Sequence, residues 1–142
     1  MATRANIIIR ENITDTEVVL YSHYDGYPDG VGEDLKNTLS DFCQTEKWHI
    51  NPSNLTAAIM TSNNFNYIYE YKNKSEEISP IHGDIEYLYI IEIGLRNQDV
   101  KLACYKAPEI GSDMWKKIEY WNEQDYLDAN IIFKQIFTLK QF

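Results

Sequence analysis

The segments TRANIIIRE (3–11) and EVVLYSHY (17–24) are separated by only five, mostly polar, residues, NITDT. Both are dense in β-branched and aromatic residues, which pack well on a pleated surface. The short polar link between them predicts an N-terminal β-hairpin. A chain that opens this way must build a sheet, and must find something to cover it.

The cover is predicted immediately downstream. GEDLKNTLSDFCQ places Leu35, Leu39, Phe42 and Cys43 at the i, i+4, i+7, i+8 spacing of an amphipathic helix. Glu33 and Asp34 fall in its first turn, where negative charge suits the helix dipole. NPSNLTAAIMTSN (51–63) reads as a second, shorter helix, with Asn51 as cap and Pro52 at the first helical position, or with Ser53 as cap. Leu55, Ala58 and Ile59 form its inner face. FNYIYEYK (65–72) then alternates with period two and reads as a third strand. IEYLYIIEIG (85–94) and QDVKLACYK (98–106) read as a hairpin, so that strands three to five form an antiparallel meander. DYLDANIIFKQIFTLKQF (125–142) reads as a C-terminal helix, although NIIFKQIF is β-branched and aromatic enough to pair as a strand. PEIGSDMWKKIEYWNEQ has no decisive period. The expected fold is α+β: one domain over 1–142, an antiparallel sheet of about five strands packed with two to three helices.

Bulk chemistry narrows the function classes. Thirteen Lys and Arg against 22 Asp and Glu give a net charge of −9. That disfavours binding along a nucleic-acid backbone, which needs a basic footprint. Cys43 and Cys104 are 61 positions apart with no CxxC pair, as expected of reduced core thiols in a cytoplasmic protein. MATRANIIIRE has too short an apolar run for a signal peptide, and no stretch approaches a membrane span. P-loop, GxGxxG, HExxH, GxSxG and zinc-ribbon spacings are all missing. The expectation is therefore a binding protein rather than an enzyme, with no cofactor.

The stretch YSHYDGYPDGVGEDL (21–35) is the candidate site. Asp25-Gly26 and Asp29-Gly30 around Tyr27-Pro28 suit two consecutive turns, and Gly32 to Leu35 suits a helix entry. Gly26, Gly30 and Gly32 permit positive φ and a close backbone approach to a ligand. The free N–H groups at the helix start would attract an anion, but Asp29, Glu33 and Asp34 compete for that positive end. Arg4, Arg10 or Arg96 would have to offset them. Turn chemistry requires neither His23 nor Tyr24 nor Tyr27, and tyrosine suits both stacking and interfaces. The predicted binding set is His23, Tyr24, Asp25, Tyr27 and Asp29, with Arg10 and Arg96. An alternative chemistry uses two H-x-D tripeptides, His23/Asp25 and His82/Asp84, as a two-His, two-carboxylate metal site or as acid and base in hydrolysis. A further alternative makes the acidic surface a mimic of nucleic acid.

The same fifteen residues resemble a family of small, uncharacterised phage and prophage proteins. In these a strand runs into His-Trp-Asp-Gly-Tyr-Pro before a Gly-containing helix entry. Here Tyr24 stands at the Trp position. The resemblance implies a host-takeover or anti-defence factor in the cytoplasm of a bacterial host. Such a factor would bind a host protein or sequester a small nucleotide-like anion, and a homo-oligomer is expected.

Overall fold

In the computed structural model, residues 3–11, 16–45, 50–62, 67–72, 85–94, 98–106 and 131–139 are described. They form β1 (Ala5–Glu11), β2 (Thr16–Ser22), a π-helical turn (Pro28–Gly32), α1 (Glu33–Thr45), α2 (Pro52–Ser62), β3 (Ile68–Lys72), β4 (Tyr87–Ile93), β5 (Asp99–Lys106) and β6 (Ile131–Thr138). The strands make one sheet in the order β3-β2-β1-β4-β5-β6. The α+β class holds, with the two helices on one face.

The N-terminal hairpin forms as predicted, in register from Ala5↔Ser22 to Glu11↔Thr16. The β4–β5 hairpin also forms, from Tyr87↔Lys106 to Ile93↔Val100. The meander of strands three to five does not. β3 pairs antiparallel with β2 at one edge of the sheet, and β4 lies parallel to β1 at the centre, Ile7 beside Tyr89 and Ile9 beside Ile91. The expected all-antiparallel sheet is thus a mixed one with a single parallel pair. Burial explains the arrangement. β1 and β4 are apolar on both faces, with Ile7, Ile8, Ile9, Tyr89, Ile90 and Ile91 all buried. Strands of that kind seat best with a neighbour on each side and a covered surface above and below.

Two apolar clusters lie on opposite faces of the sheet. On the helix face Ala5, Ile7, Ile9, Val18, Leu20, Tyr89, Ile91 and Leu102 meet Leu35, Leu39, Phe42 and Cys43 of α1 and Leu55 and Ile59 of α2. The four α1 residues are those of the predicted stripe. On the other face Ile8, Val19, Tyr21, Leu88, Ile90, Ala103 and Tyr105 form a second buried cluster. Cys43 and Cys104 are free and buried, as the sequence predicts.

The C-terminal segment is a strand where a helix was the first expectation. β6 pairs antiparallel with β5 from Asp99↔Thr138 to Tyr105↔Ile131 and forms the second edge of the sheet. Pairing with β5 decides: Phe133 lies opposite Cys104 and Phe137 opposite Val100, and both turn toward the helix-side core. Residues 107–130, which include PEIGSDMWKKIEYWNEQ, lie outside the described residues, as do residues 73–84, where the sequence suggests a polar loop. No described helix is long and apolar enough to cross a membrane.

Candidate functional site

The loop from Ser22 to Gly32 is fixed to the sheet at several points. Ser22 Oγ donates to the carbonyl oxygen of Tyr24 at 2.8 Å. Asp25 adopts the left-handed conformation, φ 56°, which Asp tolerates better than most residues. The Gly26 amide then donates to the carbonyl of Thr3, at 2.8 Å, tying the loop to the start of β1. From within the core, the Tyr89 hydroxyl donates to the carbonyl of Gly26 at 2.7 Å. The Val31 amide reaches back to the carbonyl of Asp25 at 2.8 Å, and the amides of Gly30 and Gly32 to that of Tyr27 at 2.9 and 3.5 Å. These last bonds close the π turn.

The glycines therefore serve a different purpose from the expected one. It is Asp25, and none of Gly26, Gly30 or Gly32, that has a positive φ. Gly26 is required by space: a Cβ there would sit 2.8 Å from the oxygen of Thr3 and 2.9 Å from the Cβ of Ala5. A Cβ on Gly30 would run into the carbonyl oxygen of Asp25. The close backbone approach is thus of the loop to its own chain, and the two simple turns are replaced by one pinned loop and a π turn.

On this fixed backbone stand exposed rings. Tyr24 is 68% exposed and Tyr27 40%. His23 is held between two tyrosines. Its Nδ1 lies 2.9 Å from the Tyr21 hydroxyl, and its ring meets that of Tyr24 edge to face, centroids 4.6 Å apart at 88°. The Tyr27 hydroxyl donates to Asp25 Oδ1 at 3.2 Å. That hydrogen bond, the charge of Asp25 and the charge of Asp29 raise the Tyr27 pKa above its usual 10.0. Asp25 and Asp29 thus both act on the exposed Tyr27 hydroxyl. Behind the loop, the Tyr67 hydroxyl donates to Asp34 Oδ2 at 2.6 Å and anchors the start of α1.

The structure gathers five of the predicted residues, His23, Tyr24, Asp25, Tyr27 and Asp29, on this one loop. It does not bring Arg10 there. Arg10 pairs with Glu17 at the far end of the hairpin, Nε to Oε2 3.0 Å. The loop leaves β2 at Ser22, five residues from Glu17, or about 17 Å at the rise of an extended strand. Arg96, His82 and Asp84 lie outside the described residues. Among the described residues no group of three or more His, Cys, Asp or Glu side chains could hold a metal ion. The residue that sequence reading missed is Tyr89. It looks like any inward-facing strand residue of β4, and only the three-dimensional pairing reveals its hold on Gly26.

No protein-family model, curated protein or solved structure matches the chain. The loop's chemistry must therefore be read from its own geometry.

Proposed function

We propose that this is a binding protein that engages another protein through the loop His23–Asp29. The observation that carries the reading is the combination of two exposed tyrosine rings with a backbone immobilised beneath them. Large apolar rings on a preorganised loop lose little conformational freedom on binding, and tyrosine is enriched at interface centres for that reason. The resemblance to phage proteins adds context: they carry an aromatic residue at the position of Tyr24, and the partner would then be a host protein. Host takeover or anti-defence is the corresponding role.

Of the two targets considered from sequence, a protein fits the loop better than a small nucleotide-like anion. The Tyr27 hydroxyl donates to Asp25 and feels the charge of Asp29, and Arg10 is engaged with Glu17 elsewhere. Carboxylates beside exposed tyrosines favour a partner that brings arginine or lysine to the rings.

The test compares the full chain with a Tyr24→Ala/Tyr27→Ala double variant in pull-downs from a bacterial lysate, with calorimetry against cyclic nucleotides alongside. The expected result is a captured protein that the double variant loses while its thermal midpoint stays unchanged. Capture unaffected by the double substitution, or nucleotide binding by the wild-type chain, would overturn the reading.

A further inference from the structure

β6 is an edge strand with an unpartnered outer ladder. Its inner side pairs with β5 from Phe133 to Thr138 and again at Ile131, Ile132 being the extra residue at the register shift, and among the described residues nothing pairs with its outer side. Five large hydrophobic residues are exposed among those described, and three of them, Ile131, Ile132 and Ile136, are on this strand, at 37%, 42% and 64%. Open backbone groups beside exposed β-branched residues form a template for another strand. The strand IIFKQIFT contains no acidic residue, although the chain holds 22 of them. At net charge −9 two copies repel over most of their surfaces, and this strip brings no further acidic charge to the contact.

We propose that β6 pairs antiparallel with β6 of a second copy, on a two-fold axis through Lys134, to give one continuous sheet. The register follows from the side chains. Residues opposite one another in an antiparallel ladder point to the same face, so a two-fold perpendicular to the sheet must pass through a residue position. With Lys134 on the axis, Ile132 meets the partner's Ile136, and Ile136 meets the partner's Ile132. Moving the axis to Gln135 sets Ile136 against the partner's Lys134 and Ile132 against the partner's Thr138. Moving it to Phe133 sets Ile132 against the partner's Lys134. Only the Lys134 axis, of these three, gives both Ile132 and Ile136 an apolar neighbour. The two lysines then face each other across the axis, and their long stems let the charges part into solvent. The ladder irregularity between Cys104 and Tyr105, opposite Ile131 and Phe133, ends the regular part of the strand beside Ile132. In such a dimer both helix layers lie on the same face. The two Tyr24–Tyr27 loops, which sit at the Ile131 end of each sheet, lie at opposite ends of the joined one.

Three variants of the full chain test this. Opposed residues in an antiparallel pair have Cα atoms about 4.5–5.5 Å apart, within disulfide range. Lys134→Cys should therefore give a disulfide-linked dimer on mild oxidation, with the buried Cys43 and Cys104 not competing. Ile136→Asp, at an exposed position, should shift the wild-type dimer to monomer in sedimentation velocity while circular dichroism stays unchanged. Lys134→Thr should tighten the dimer by roughly fivefold or less, the size of one like-charge cross-strand pair. A wild-type chain that sediments as a monomer at about 100 μM would overturn the proposal. So would a dimer indifferent to Ile136→Asp, or cross-linking through Cys at 135 or 136 but not at 134. Should β6 instead accept only an extended peptide from another protein, the wild-type chain alone would be monomeric, and the proposal would fail in the same way.

Discussion

Tyr89 links the core to the loop through a single side chain. Its ring lies in the helix-side cluster, and its hydroxyl satisfies the carbonyl of Gly26. Tyr89→Phe keeps the packing and strands that carbonyl without its buried donor. The expected loss is about 1–3 kcal/mol in urea denaturation, with faster amide exchange at Gly26 and Val31. Gly26→Ala should cost at least as much, because the added methyl meets the backbone oxygen of Thr3 at 2.8 Å, and backbone cannot step aside as a flexible side chain can. By contrast Tyr24→Ala, at a largely exposed position, should change stability by no more than about 0.5 kcal/mol. A second residue-scale expectation concerns alkaline pH. Burial raises the Cys104 thiol from 9.0 to about 12 and Cys43 to about 11, and raises Tyr89 above its usual 10.0. In the unfolded chain these groups release their protons at the lower values. Above about pH 9 the folded state therefore holds more protons, and stability falls as pH rises toward the folded values. Urea midpoints that stay flat from pH 8 to about pH 11 would contradict this.

At the scale of the element, α2 shows how a short segment can carry its own instructions. The Asn51 side chain accepts from the Asn54 amide at 2.9 Å, and the Asn54 side chain accepts from the Asn51 amide at 2.9 Å. This is a reciprocal capping box with Pro52 at the first helical position. Asn51→Ala should cost roughly 1 kcal/mol, read as a fall in thermal midpoint. Asn51 was legible as one of two candidate caps, beside Ser53, because capping is a local matter of which side chain can reach which amide. The same holds for α1, whose stripe of Leu35, Leu39, Phe42 and Cys43 is buried as its spacing requires. It holds also for both hairpins. β6 was less legible because Ile131, Phe133 and Ile136 suit an irregular helical face while NIIFKQIF has the β-branched and aromatic composition of a strand, and only the neighbouring β5 decides between them. The π turn was not legible. Asp-Gly and Pro announce a turn there, but the loop that leads into it is pinned at Gly26 by Thr3 and Tyr89, which no local pattern shows. For the site, the loop residues were found because no turn needs His23, Tyr24 or Tyr27. Arg10 was misplaced because strand register, invisible in composition, sends it to the opposite end of the hairpin.

For the molecule as a whole, the decisive pairing is β1 with β4. The chain up to Lys72 contributes β1, β2, β3 and both helices; the chain from Ile85 onward contributes β4, β5 and β6. Each part holds three strands joined antiparallel. Only one ladder, from Ala5↔Tyr87 to Glu11↔Ile93, stitches them together, reinforced where α1 reaches β6 and Lys36 lies over the Phe133 ring, 4.1 Å from its centroid. Contacts between residues so distant in sequence form late, since the chain must first lose the freedom of everything between Glu11 and Tyr87. If the peptide bond were cut between Lys72 and Ile85, all six strands and both helices would survive intact on two fragments. Expressed separately, each fragment would expose a row of isoleucines and fold poorly; mixed, they should reassemble with the circular dichroism and cooperative melting of the whole chain. A protease nick in that interval would then give two bands on a denaturing gel and one particle in solution.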